Sequence, residues 1–284
     1  MHRLFSSLFV LKLAILCYSV QGPAETSTSH SPMCLFSIIY QVDPHFPVFV
    51  LANREEALER PSAAPEIVSP PAKNMNWLGG RDLLAGGTWL GVNAGGLVVA
   101  VTNRAKTPRP GKLKSRGLLC RELLEQPSLV AAEREFQRQW QRENFAGLNL
   151  LMISRERGVI VSAGDRIHLQ PLERGRHAIA NGDWNDPEDR RIARVQKAME
   201  AFPADDPTGR EWIERAEALC GAGEEQGGDA ICLPFRSGWG TVSSSIIALS
   251  HDPAKCRYLH AAGPPSDTHY RDYSPLLVSL FTSN

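Results

Sequence analysis

What this chain lacks removes several chemistries at once. It contains no C-x-x-C, and no His/Cys group has zinc-ligand spacing, so neither a zinc site nor a redox dithiol is written into it. There is no G-x-S-x-G elbow, no phosphate-cradling P-loop, no dinucleotide fingerprint and no H-E-x-x-H, so no cofactor is implied. The six cysteines, at 17, 34, 120, 220, 232 and 256, are too scattered for a disulfide framework. No charge of either sign is in excess: Lys+Arg and Asp+Glu are both 31, and no basic stripe invites nucleic acid. No internal repeat is visible. No apolar run is long enough to span a bilayer comfortably, so no integral membrane domain is expected.

What remains is ordinary globular material, 43% hydrophobic and 22% charged, enough for one large core. The segment before Cys34 differs from the rest. Leu8 to Val20 is largely apolar and follows His2-Arg3; Gln21 to Pro32 is polar. That resembles a secretory signal peptide with a spacer. Lys12 interrupts the apolar stretch, however, and no Ala-x-Ala site follows. The rival reading is that translation starts at Met33, whose removal would expose Cys34 directly. Residues 1–33 are therefore read as a leader outside the fold, and 34–284 as a single domain. The chain would be exported on the first reading and cytoplasmic on the second.

From residue 34 the pattern runs strands, helices, strands. Cys34–Val42 and Pro47–Asn53 read as apolar strands around a turn. Residues 56–76 hold four prolines and no clear period, and read as a loop. Gly79-Gly80, Gly86-Gly87 and Gly95-Gly96 punctuate short strands, among them Thr88–Asn93 and Gly96–Thr102. Ser115–Glu125 and Ser128–Gln141 read as helices with serine caps. Strands follow at Leu148–Ser154, Gly158–Ala163 and Ile167–Leu172. Pro187 is expected in the first turn of a helix running to about Phe202, capped by Asn185 or Asp186. A further helix covers about Gly209–Cys220, and Ser244–Ser250 with Cys256–Ala261 reads as a closing hairpin. Strands apolar on both faces need covering layers, which predicts an α+β fold with helices outside two stacked sheets, αββα.

Taken alone, Cys34 is a buried thiol opening a core strand. Exposed at a new N-terminus it would be a nucleophile and base in one residue, because its α-amino group, with a pKa near about 7.7–8.0, can take the thiol proton. Taken alone, Asn103 and Asn181 are turn residues, and Arg54-Glu55-Glu56 is a solvated strand end.

Together these residues resemble the NRDE family, which includes transport and Golgi organisation protein 2. The resemblance rests on Met33-Cys34, Ala52-Asn53-Arg54-Glu55-Glu56, Gly86-Gly87-Thr88-Trp89-Leu90-Gly91, Leu97 to Asn103, and Ala180-Asn181, in that order. The third residue of the family's Asn-Arg-Asp-Glu is here Glu55. The family in turn is similar to N-terminal-nucleophile hydrolases of the choloylglycine hydrolase and penicillin V acylase type. That likeness implies a four-layer sandwich of their kind, with Cys34 as nucleophile. Arg54 and Glu55 or Glu56 would set the field around it. Asn103 would serve as oxyanion donor, and Asn181 would orient the amine or add a second donor. A later Arg expected from Gly-Thr-Arg is missing, since this chain reads Gly240-Thr241-Val242. Two functions follow as expectations. One is hydrolysis of linear, non-peptide amides. The other is a non-catalytic binding or trafficking role toward a lipid-like or haem-like ligand. The expected partner is thus a small amide or a lipid-like molecule.

Overall fold

A computed structural model describes residues 34–71, 75–106, 110–224 and 229–282. The expectations for the leader, 1–33, fall outside these. In chain order the elements begin with β1 (Leu35–Tyr40), β2 (Val48–Ala57), β3 (Ser62–Val68), β4 (Trp77–Asp82), β5 (Leu90–Asn93) and β6 (Val98–Asn103). Two helices follow, α1 (Arg116–Leu124) and α2 (Leu129–Arg142). Next come β7 (Leu148–Ile153), β8 (Gly158–Ala163), β9 (Ile167–Pro171) and β10 (Gly175–Ile179). Helices α3 (Arg190–Met199) and α4 (Arg210–Cys220) precede β11 (Trp239–Leu249), β12 (Arg257–Ala261), β13 (Arg271–Asp272) and α5 (Ser274–Thr282).

The strands form two antiparallel sheets, ordered β10-β1-β2-β11-β12-β13 and β3-β4-β5-β6-β7-β8-β9. Side-chain alternation along each strand decides the layers. On β1, Phe36, Ile38 and Tyr40 pack between the sheets with Leu78, Val98 and Leu151 of the second sheet. Leu35 and Ile39 point the other way, onto Ile192, Val195 and Trp212 of α3 and α4. The second sheet repeats the scheme: Val99, Leu150 and Val161 meet Leu119, Leu123 and Phe136 of α1 and α2. The result is the expected αββα sandwich, with α5 adding Leu277 and Leu280 to the inter-sheet core. Among the described residues no helix is long and apolar enough to cross a membrane.

The structure corrects the local reading in four places. Residues 56–76 contain β3, because its irregular pairing with β4 shifts register between Ala63 and Glu66 and so tolerates Pro65. Gly79 and Gly80 do not punctuate a strand; they lie inside β4. There a Cβ at Gly79 would come within 2.6 Å of the Leu90 carbonyl, and one at Gly80 within 2.7 Å of the Trp89 ring. Helix α3 starts at Arg190 rather than near Pro187, since the Asp189 carboxylate accepts from the backbone N–H groups of Arg191 and Ile192. Ser115 occupies the N-cap position of α1 but its side chain makes no cap bond, whereas the Ser128 hydroxyl accepts from Ala131 N–H at 3.2 Å.

Gly87 holds the start of α1 against the second sheet. Thr88 N–H donates to the Gly117 carbonyl at 3.0 Å, and a Cβ on Gly87 would sit 2.2 Å from the Gly117 carbonyl carbon and 2.5 Å from Leu118 N. Both neighbours are backbone and cannot swing aside. Gly87→Ala is therefore expected to cost about 1–3 kcal/mol or more by overpacking. Urea denaturation measures it; a loss below about 0.5 kcal/mol, the ordinary scale of a surface change, would contradict the reading.

Candidate active site

The site grows out of the alternation on β2. Val48, Val50 and Ala52 face the inter-sheet core, so Arg54 and Glu56 continue on that side. Phe49 and Leu51 face the α3/α4 layer, so Asn53 and Glu55 continue there. The contacts follow. Asn53 Nδ2 donates to the carbonyls of Cys220 at 2.9 Å and Ile231 at 3.0 Å, stitching the end of α4 and the loop at 231 to the sheet. The buried Glu55 carboxylate takes a two-pronged bond from Arg191 on α3, Nη1 to Oε2 at 3.0 Å and Nη2 to Oε1.

Strand pairing then arranges a row across the sheet. Leu35 stands opposite Asn53, and Phe36 opposite Ile179. Continuing both registers places Cys34 between Arg54 of β2 and Asn181 just past β10. Ser243 of β11 lies beyond Arg54. The register slips between Thr241 and Ser243, so Val242 is the unpaired residue of a β-bulge. From the other sheet, Asn103 ends β6, and the hydroxyl of its neighbour Thr102 donates to the Ala180 carbonyl at 2.8 Å, tying the two sheets together here.

A cavity of about 400 Å³ opens at this end. Cys34, Arg54, Glu55, Glu56 and Asn103 line it, together with Trp89, Trp239, Arg60, Asp82, Lys114 and Arg116. Asn181 is not among its lining residues, although its place in the row is next to Cys34. Glu55 contributes chiefly its carbonyl, 4.0 Å from Cys34 Sγ, because its carboxylate is spent on Arg191. Glu56 is the carboxylate on the cavity side: its Oε2 lies 3.7 Å from Arg54 Nη2 and 3.5 Å from Arg60 Nε. Arg60 also donates to Asp82 at 2.6 Å. The Arg54 guanidinium stacks over the Trp89 ring at 4.5 Å. The close passage of that ring over Gly80 explains why this glycine of β4 lacks a side chain.

Cys34 is half-buried. Burial, reinforced by the charge of Glu55, pushes its thiol up to about 11, against the pull of the Glu55 carbonyl contact and of Arg54. With the chain continuing before it, the sulfur is thus a neutral thiol at pH 7. Trp77, flanking the same glycine region, is core, while Trp89 is cavity wall. Cys120, Cys220, Cys232 and Cys256 are buried free thiols.

Sequence reasoning missed Arg191 and Arg116. A carboxylate at an outward position of a strand otherwise buried on both faces needs a buried cation, and that signal existed at Glu55. Which of the chain's 31 Lys and Arg residues would supply it was not legible.

The sequence profile of the family described as "Transport and Golgi organisation 2" matches residues 33–260. The chain belongs to that family. Among curated proteins, none matches its sequence. Among solved structures it is similar to a Caenorhabditis elegans orthologue of N-acylethanolamine-hydrolyzing acid amidase. That similarity has 14% identity and a TM-score of 0.50, covering 75% of this chain and 92% of that one. It is also similar to penicillin V acylase from Agrobacterium tumefaciens, at 12% identity and a TM-score of 0.53, covering 86% of this chain and 87% of that one. At such identities the likeness is one of fold alone: this family member shares its two-sheet αββα sandwich with both proteins.

Proposed function

We propose that this protein is an N-terminal-cysteine amidohydrolase of linear, non-peptide amides, active once Cys34 is the first residue. The observation that carries this reading is the sharing of one cavity by Cys34, Arg54, Glu56 and Asn103. In the reaction, the freed α-amino group accepts the thiol proton and Cys34 Sγ attacks the amide carbonyl. The tetrahedral oxyanion accepts a hydrogen bond from the Asn103 side-chain amide, a donor of a kind worth about 3–4 kcal/mol of barrier. The C–N bond breaks as the ammonium returns the proton to the leaving amine. Water, deprotonated by the same amine, then hydrolyses the thioester. Asn181, next to Cys34 in the strand row, orients the amine, and the Arg54–Glu56 pair sets the field around the sulfur.

A second reading, a non-catalytic binding protein for a lipid-like ligand, draws on one observation: Val242 stands where an arginine was expected. The deciding comparison is turnover of a linear N-acyl amide by a chain beginning at Cys34 and by the full-length chain, whose Cys34 nitrogen is an amide and no base. Turnover by the first form alone is expected. Inactivity of both, with Cys34 confirmed as first residue by N-terminal sequencing, would leave the binding protein standing.

A further inference from the structure

The charges around the cavity do not balance. Lys114 is neutralised by Glu122 at 2.9 Å. Arg60 takes Asp82 and shares Glu56 with Arg54. The Glu55 carboxylate is turned through the sheet to Arg191. Arg116 is left over. It is the first residue of α1, carried to the cavity by the Gly87–Gly117 contact, and its guanidinium makes one bond, Nη1 to the Gly147 carbonyl at 3.0 Å. Among the described residues no carboxylate lies within ion-pair distance of it.

A second, independent gap lies on the opposite wall. Arg54 is 4% exposed, and its Nη1 is buried without any acceptor. A buried guanidinium N–H left unmatched costs desolvation with nothing in return. It is tolerated where a ligand supplies the acceptor.

We infer that the cavity is built to receive an anionic ligand, a small organic carboxylate, with its oxygens on Arg116 and on Arg54 Nη1. Guanidinium groups suit this because their fixed N–H forks match a carboxylate. Arg116 reaches the site from α1 and so brings a cation to the cavity from the helix layer. The inference uses the cavity of the reading above but not its chemistry, so the two can fail separately.

The test is equilibrium binding to the full-length Cys34→Ala chain, which cannot turn over, followed by tryptophan fluorescence, since Trp89 and Trp239 line the cavity. Two probes of nearly the same shape differ in charge: N-acetylglycine and the neutral N-acetylglycinamide. The acid is expected to bind at least about tenfold more tightly. Arg116→Gln should bring the acid down to the amide's affinity and leave the amide unchanged, with Arg116→Lys in between because it keeps the charge and loses the fork. Should Arg116→Gln fail to fold, the unsubstituted Arg116 chain still decides, since added salt should weaken the acid and not the amide. Equal affinities for the two probes, no binding of the acid, or no effect of a folded Arg116→Gln would each overturn the inference.

Discussion

At neutral pH, Cys34 in the full-length chain is expected to react slowly with iodoacetamide, and its rate should climb about tenfold per pH unit toward pH 11. The thiolate is the nucleophile, and burial keeps the thiol protonated up to about 11. In a chain beginning at Cys34 the profile should change shape. The new α-amino group, with a pKa near about 7.7–8.0, takes the thiol proton intramolecularly, so acyl transfer from an activated ester should become efficient near neutrality. Cys34→Ser in that form should slow acyl transfer sharply, since a hydroxyl is far less ionised than a thiol. Cys34→Ala should abolish it while leaving the melting temperature nearly unchanged, because only a half-buried sulfur is removed. Intact mass spectrometry counts the acyl groups. The other four described cysteines are buried, so the Cys34→Ala background should be low. Identical labelling of all forms would remove Cys34 from the chemistry.

Arg191→Ala is expected to be among the most destabilising single changes outside the apolar core, by about 3–5 kcal/mol. The reason is the asymmetry of buried ion pairs: making one gains little, and breaking one strands a charge. Arg191 and Glu55 have side-chain exposures of 4% and 3%, so water cannot take over for the missing partner. Arg191 Nη2 also donates to the Ile231 carbonyl at 2.7 Å, the acceptor that Asn53 uses, so the loop at 231 loosens with it. The loss should depend on pH with a definite sign. Burial already raises the Glu55 carboxyl above its ordinary value, and Arg191 opposes that rise. Without Arg191 the folded-state pKa moves higher still. A carboxyl raised on folding contributes stability below its unfolded pKa and loses it as pH climbs through the folded value. Arg191→Ala should therefore be closest to the parent in mild acid and furthest from it at neutral and alkaline pH. Replacing both partners, Glu55→Leu with Arg191→Met, should recover most of the loss. Urea midpoints across pH measure all three proteins; a pH-independent deficit in Arg191→Ala would show that Glu55 is not the group left stranded.

The order of layers was legible in the chain because it depends on neighbours. The nearly continuous apolar runs Cys34–Tyr40 and Val48–Ala52 mark strands buried on both faces. The two-residue period of a strand also settles that Arg54 and Glu56 share one side while Asn53 and Glu55 share the other. The same local logic put Cys34 at the head of the first strand, one residue before β1 begins at Leu35. Local reading failed where an element is held by something distant. β3 contains Pro65, is partly exposed, and exists because β4 pairs with it. Helix α5 and strand β10 offer little periodic signal, and packing or pairing defines them. The site divides along the same line. Motif residues could be named from the sequence, but their company could not. Glu55 meets Arg191 across 136 positions, Thr102 meets Ala180 across 78, and Arg116 enters the cavity only because Gly87 lets the first turn of α1 approach. Periodicity is carried by adjacent residues and survives in the unfolded chain. Which cation ends beside which carboxylate is decided by how sheets and helices pack, when burial makes an unpaired charge too costly to leave.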